Sequence, residues 1–239
     1  MKYIFNFFLF TYFSFVSLAI TSDTESNAKL FGSLPDVSNV KISPNGKFVG
    51  VQQRTEETIV VKIIDLDNAQ LLSVHNFGSK GQITDFFWAT DKRLVFTVAR
   101  ENSRNTEIYN VGQLVAANID GKRTKLIAGF GSAPDSRQGV RNRDRTNPDR
   151  PAIIVHRLPK DSNKILVSFF DNAGFNELAE LDINNGKVSY VTTSPVIYPN
   201  WIFNNEGKLM GVSSSTLENN SEIFLFKPNL PQGSLSSRQ

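Results

Sequence analysis

Apolar and polar residues alternate in short runs along most of this chain, and small polar turns separate the runs. Three of the turns share one layout: Ile42-Ser-Pro-Asn-Gly-Lys-Phe48, Trp88-Ala-Thr-Asp-Lys-Arg-Leu94 and Phe203-Asn-Asn-Glu-Gly-Lys-Leu209. In each, the last apolar residue of one run stands six positions before the first of the next. A looser fourth copy, Leu158 to Ile165, carries one extra residue. Two positions upstream of each anchor stand Val40, Phe86, His156 and Trp201. That period of two marks one face of a strand, and these four residues are expected to face a core. The anchors lie 46, 70 and 45 residues apart, so the long interval is a normal unit plus an insertion.

A second pattern recurs downstream. Val60–Ile64 precedes "DLDNAQ", Leu114–Ala117 precedes "NIDGK", and Leu178–Leu181 precedes "DINNGK". Gly and Asn supply the positive φ that tight hairpin turns demand, so each unit reads as strand–turn–strand. About four short strands in ~45 residues is the period of a β-propeller blade. Runs such as Val60–Ile64 are apolar at nearly every position, as expected of a blade covered on both faces by its neighbours. No apolar stripe at helical spacing survives the Asn, Gly and Pro punctuation. The predicted fold is all-β, a partial propeller of about four blades of four-stranded antiparallel sheet. The blades are expected at about 36–75, 82–129, 151–193 and 195–227, with an arginine-rich insertion at 131–150. Residues 228–239 are polar and rich in Pro, Gly and Ser, and read as a disordered tail.

Residues 1–19 stand apart from this pattern. A basic start at Lys2, an apolar run over Ile4–Ile20 and the small residues Ser17-Leu18-Ala19 predict a signal peptide cleaved after Ala19. The protein is therefore expected to be exported, periplasmic or secreted, with no stable membrane insertion after cleavage. The chain has no cysteine, so its stability in an oxidising compartment rests on burial rather than disulfides. The formal charge of +3 is concentrated in one place. Arg137, Arg141, Arg143, Arg145 and Arg150 face only Asp144 and Asp149. No aromatic residue interrupts that segment, and nucleic-acid platforms interleave the two, so no nucleic-acid partner is expected. The segment reads as a solvated insertion, with a site for an anionic ligand or a peptide carboxylate as the functional alternative.

Together, "VSNVKISPNGKFVGV", "ITDFFWATDKRLVFTV", "IIVHRLPKDSNKILVSFF" and "PNWIFNNEGKLMGVSS" resemble the amino-terminal propeller of secreted S9 serine peptidases. These are the prolyl oligopeptidase and acylaminoacyl-peptidase-like enzymes, and the resemblance covers residues 30–226. It implies a propeller that caps an α/β-hydrolase domain bearing a Ser–Asp–His triad, which cleaves short peptides. The hydrolase nucleophile sits in a G-x-S-x-G turn, and that pattern occurs nowhere here. No catalytic residue of the family has a matching position. The expectation is a non-catalytic propeller segment whose partner is the missing carboxyl-terminal hydrolase domain. The alternative is a self-standing exported propeller that binds a protein or peptide.

The remaining chemistry is sparse. His156 takes a core-facing slot, and His75 lies at a strand end before Asn76 and Gly78, where a surface or turn role is expected. Neither has metal-ligand spacing. Asp65, Asp67 and Asp182 belong to the recurring turns, where a carboxylate bonds the backbone. Gly129 and Gly131 follow no phosphate-binding pattern, and no metal or other cofactor is expected. If the ring lacks blades, both terminal blades should expose an apolar face.

Overall fold

A computed structural model describes residues 36–78, 81–101, 108–129, 150–158, 163–170, 175–215, 221–226 and 235–238. These form sixteen strands in four antiparallel sheets, with no helix among the described residues. Blade 1 holds β1 (Val37–Ile42), β2 (Phe48–Arg54), β3 (Ile59–Asp65) and β4 (Gln70–His75). Blade 2 holds β5 (Gly81–Thr90), β6 (Arg93–Glu101), β7 (Ile108–Asn118) and β8 (Lys125–Ala128). Blade 3 holds β9 (Ala152–Arg157), β10 (Lys164–Phe170), β11 (Phe175–Asp182) and β12 (Val188–Ile197). Blade 4 holds β13 (Asn200–Phe203), β14 (Leu209–Ser215), β15 (Ser221–Phe226) and β16 (Leu235–Arg238). Within every blade the described strands pair in chain order, so among the described residues no blade is shared between distant segments. The architecture is a run of four β-propeller blades.

The turn repeat joins the first strand of each blade to the second. Its register is closely kept, with Ile42 opposite Val49, Trp88 opposite Leu94 and Phe203 opposite Leu209. The chemistry of the turn repeats as well. Gly46 and Gly207 both carry positive φ, 73° and 82°, and their N–H groups donate to the carbonyls of Ser43 and Asn204. The second recurring turn joins the third strand to the fourth. There Asp65, Asp120 and Asp182 each accept a hydrogen bond at Oδ1 from the backbone N–H two residues on, at 2.9, 3.0 and 2.7 Å. Such local bonds fix a turn without tertiary help.

Three apolar cores lie between successive blades. Val61, Ile63, Phe86, Leu94 and Phe96 fill the first. Phe87, Val95, Ile165, Val167, Phe169 and Leu181 fill the second. Leu166, Leu178, Trp201 and Val212 fill the third. Alternate residues of one central strand thus serve opposite cores: Leu94 and Phe96 point to blade 1, while Val95 points to blade 3. That is why these runs are apolar at consecutive positions. The same explanation does not extend to Val60–Ile64. Val61 and Ile63 are fully buried against blade 2; among the described residues no blade lies over the opposite face of blade 1, where Val60 is 5% exposed while Val40 and Val74 are about half exposed.

Repeat-equivalent positions behave accordingly. Phe86 packs on blade 1 and Trp201 on blade 3, each against the preceding blade. Val40 holds the same position in blade 1, yet it is 56% exposed. Ile42 at 62% and Val74 at 48% share its face. At the other end of the run Ile223 and Leu225 on β15 are about half exposed. The expected burial of Val40 therefore fails for lack of a covering blade, not for lack of an apolar side chain. Two other differences concern boundaries. Leu235–Arg238, read as part of a disordered tail, forms β16 and pairs with β15. Pro195–Ile197, read as the start of blade 4, belongs to β12, and Ile197 pairs with Phe175 across a bulge.

Candidate functional site

The arginines singled out by sequence fall in two groups. Arg137, Arg141, Arg143 and Arg145 lie outside the described residues. Arg150 is anchored: Nη2 donates to Glu177 Oε2 at 2.6 Å, and the guanidinium sits 5.1 Å from the Phe169 ring centroid. That pairing holds the entry to blade 3 in place.

Of the two histidines, His75 departs from the role expected of it and His156 keeps its own. His75, read as a surface residue, is buried, 4.8 Å from the Phe96 ring. Burial pushes its pKa down to about 4, with the Asp120 carboxylate pulling weakly the other way. Ser73 lies 3.3 Å from His75 Nε2, so Ser73, His75 and Asp120 bring together the residue types of a hydrolytic triad. The hydrogen bonds argue against nucleophile activation. Ser73 Oγ donates to the Ile119 carbonyl at 2.6 Å, which leaves the imidazole as the donor to Ser73 rather than its base. The cluster pins β4 to the following blade. His156 is partly buried on its core-facing side, its ring tilted 5.2 Å from that of Phe203, but its buried Nδ1 has no hydrogen-bond partner among the described residues. Among the described residues no group of three His, Cys, Asp or Glu could hold a metal ion.

One concavity among the described residues lies between blades 2 and 3. A cleft of about 520 Å³ is lined by Asp85, Phe87, Thr97 and Leu114 on one side and by residues 152–157 on the other. Its walls are the first strands of the two blades, β5 and β9, each paired along one edge only. Both strands carry a β-bulge beside the cleft. In β5 the register steps from Ile83 to Asp85, and in β9 from Ile154 to His156. Bulges re-aim side chains. The one at Val155 turns His156 toward blade 4 and sets Arg157 on the face of Ile154, toward blade 2. Arg157 then lies 4.3 Å over the Phe87 ring. Across the cleft, Asp85 Oδ1 takes Lys41 Nζ at 2.6 Å and Asn39 Nδ2 at 3.0 Å from blade 1. Sequence reading missed Asp85 and Arg157. Neither sits in a motif, and their partners lie far away in the chain.

Residues 14–117, less than half the chain, match the family model described as a seven-bladed lactonase β-propeller. No curated protein matches. Among solved structures, the chain is similar to an acylaminoacyl peptidase bound to Z-Gly-Gly-Phe-chloromethyl ketone, at 13% identity and a TM-score of 0.48, covering 85% of this chain and 32% of that one. It is similar to the propeller domain of the Trilobed protease from Pyrococcus furiosus at 14% identity and 0.48, covering 84% and 56%. It is also similar to TolB from Acinetobacter baumannii at 13% identity and 0.43, covering 84% and 43%. The chain thus spans between a third and somewhat over half of these structures' own length.

Proposed function

We propose that this chain is a non-catalytic propeller segment of an exported S9-like serine peptidase, working beside an α/β-hydrolase domain. One observation carries the reading. Val40 occupies the position at which Phe86 and Trp201 each bury against a preceding blade, yet it is 56% exposed. A propeller manages its strand faces and edges by closing into a ring. An uncovered apolar face on blade 1, matched by Ile223 and Leu225 on blade 4, fits a segment of a larger ring. The order of the turn motifs and their resemblance to the S9 propeller support the choice of family. The Ser73–His75 geometry, with the hydroxyl proton committed to a carbonyl, supports a non-catalytic role.

The purified chain should bind a hydrophobic dye such as ANS in native buffer and self-associate, since exposed apolar patches drive association. Its expected activity on aminoacyl and dipeptidyl chromogenic substrates is nil, as is labelling by a fluorophosphonate. Stoichiometric labelling of a single serine would sink the non-catalytic assignment. A monomeric, dye-silent, cooperatively melting chain would instead favour a self-standing propeller that binds a peptide or protein, the role that the cleft between β5 and β9 would suit. Mass spectrometry of exported protein should find a start between Ile20 and Asp23, and intact Met1 in a soluble periplasmic fraction would remove the export proposal.

A further inference from the structure

The geometry points to the cleft between β5 and β9 as a site for the carboxyl-terminal residue of a short peptide, with Arg157 taking the carboxylate. Arg157 is exposed and stacked on Phe87, and no carboxylate lies within ion-pair distance of it among the described residues. By contrast Arg93 and Arg150 are both tied by hydrogen bonds. Stacking on an aromatic face leaves the planar fork of the guanidinium open for two parallel bonds to a carboxylate. The ring also holds the side chain in place before a ligand arrives, which lowers the entropy cost of binding.

The rest of the cleft selects what the carboxylate is attached to. Phe87, Leu114, Ala152 and Ile154 give part of its wall an apolar surface beside the polar groups, which an inorganic anion would leave uncovered. The volume, about 520 Å³, suits a small organic ligand. Asp85 adds a second polar contact. Lys41 and Asn39 both bind Oδ1, and Oδ2 has no partner among the described residues. It is therefore open to an N–H donor of the ligand. Asp85 and Phe87 are two residues apart on β5, about 7 Å along an extended strand. That is close to the reach from the amide N–H of a terminal residue to its own carboxylate with one hydrogen bond at each end. The inference does not depend on the peptidase reading, because binding at Arg157 can be measured whether or not a hydrolase domain works alongside.

Isothermal titration of the full chain with Gly-Gly-Leu and with its carboxyl-terminal amide tests it. The acid should bind saturably, and the amide about tenfold more weakly or worse. Arg157→Ala should lose a similar factor for the acid, while Arg157→Lys, with charge but no fork, should fall between. Thermal melts check that the variants fold. Should Arg157→Ala fail to fold, the comparison of acid and amide on the unaltered chain decides alone. Equal affinity for the two peptides would overturn the site, and so would no binding of the acid up to about 10 mM. Displacement of Gly-Gly-Leu by an equal concentration of inorganic phosphate would overturn the preference for an apolar residue.

Discussion

Arg93 donates two hydrogen bonds to the single carbonyl oxygen of Ile183 in the next blade, from Nη2 at 2.9 Å and Nε at 3.2 Å. Its remaining nitrogen, Nη1, donates to Asn118 Oδ1 at 2.8 Å. One guanidinium thus ties the β7–β8 turn of blade 2 to the β11–β12 turn of blade 3. It does so while only 5% exposed. Burial lowers its pKa and the neighbouring Arg123 lowers it further, while Asp182 opposes both. Arginine suits the position because its planar fork reaches several acceptors and keeps its charge when buried.

Replacing Arg93 with Met should cost about 2–4 kcal/mol, because the Ile183 carbonyl and Asn118 lose their donor in a dry setting. Arg93→Lys should recover less than half of that, since an ammonium cannot span the same acceptors. Urea unfolding measures both. A change under about 0.5 kcal/mol for Arg93→Met would show that water replaces the side chain.

Gly50 of blade 1 lies against the Phe86 ring of blade 2. A Cβ placed there would lie 2.6 Å from Phe86 Cε2 and 2.9 Å from Cζ. Phe86 is 1% exposed and packs against Phe96, so its ring has little room to yield. Gly50→Ala is expected to destabilise by about 1–3 kcal/mol through overpacking. Trimming the ring with Phe86→Leu should relieve part of that cost. A double-mutant cycle reads the coupling, and additivity within about 0.5 kcal/mol would refute the steric account.

His75 makes stability depend on pH. Its pKa is about 4 in the folded chain against 6.5 when unfolded, and the neutral ring is the form that folds. The unfolded chain therefore binds the proton first as pH falls. The contribution is fully present above pH ~6.5 and is lost progressively toward pH ~4, reaching about 2 kcal/mol by pH ~5 and about 3 by pH ~4. His75→Gln, which keeps a donor for Ser73, should flatten the profile over that window relative to the parent chain. Parallel profiles for the two proteins would show that His75 charges without penalty.

Much of the fold was legible because turn chemistry is local. Ser43 and Asn204 accept from nearby N–H groups within their own turns, as Asp65 and Asp182 do, and none of these bonds needs a distant partner. Blade count and strand order followed from those turns. His75 was misread because a strand end before Asn76 and Gly78 resembles a surface. Its burial comes from Phe96, a different strand of a different blade. β16 was missed for the opposite reason. An edge strand is held by backbone pairing to β15, and its polar sequence carries no apolar alternation to detect.

The sequence by itself determined where the chain turns, which runs become strands and how those strands group into blades. Hairpin turns and strand alternation depend on residues within a few positions of one another. Tertiary structure alone decided which apolar faces are covered. Val40 and Phe86 are equivalent in the repeat, yet only Phe86 has a blade laid over it. It also decided that Arg157 lies over the Phe87 ring with no carboxylate partner among the described residues, while Arg150 is paired with Glu177. Both are arginines near the β9 strand, and their surroundings are supplied by blades folded from distant parts of the chain. The β-bulge at Val155 then selects the side of the sheet on which Arg157 emerges.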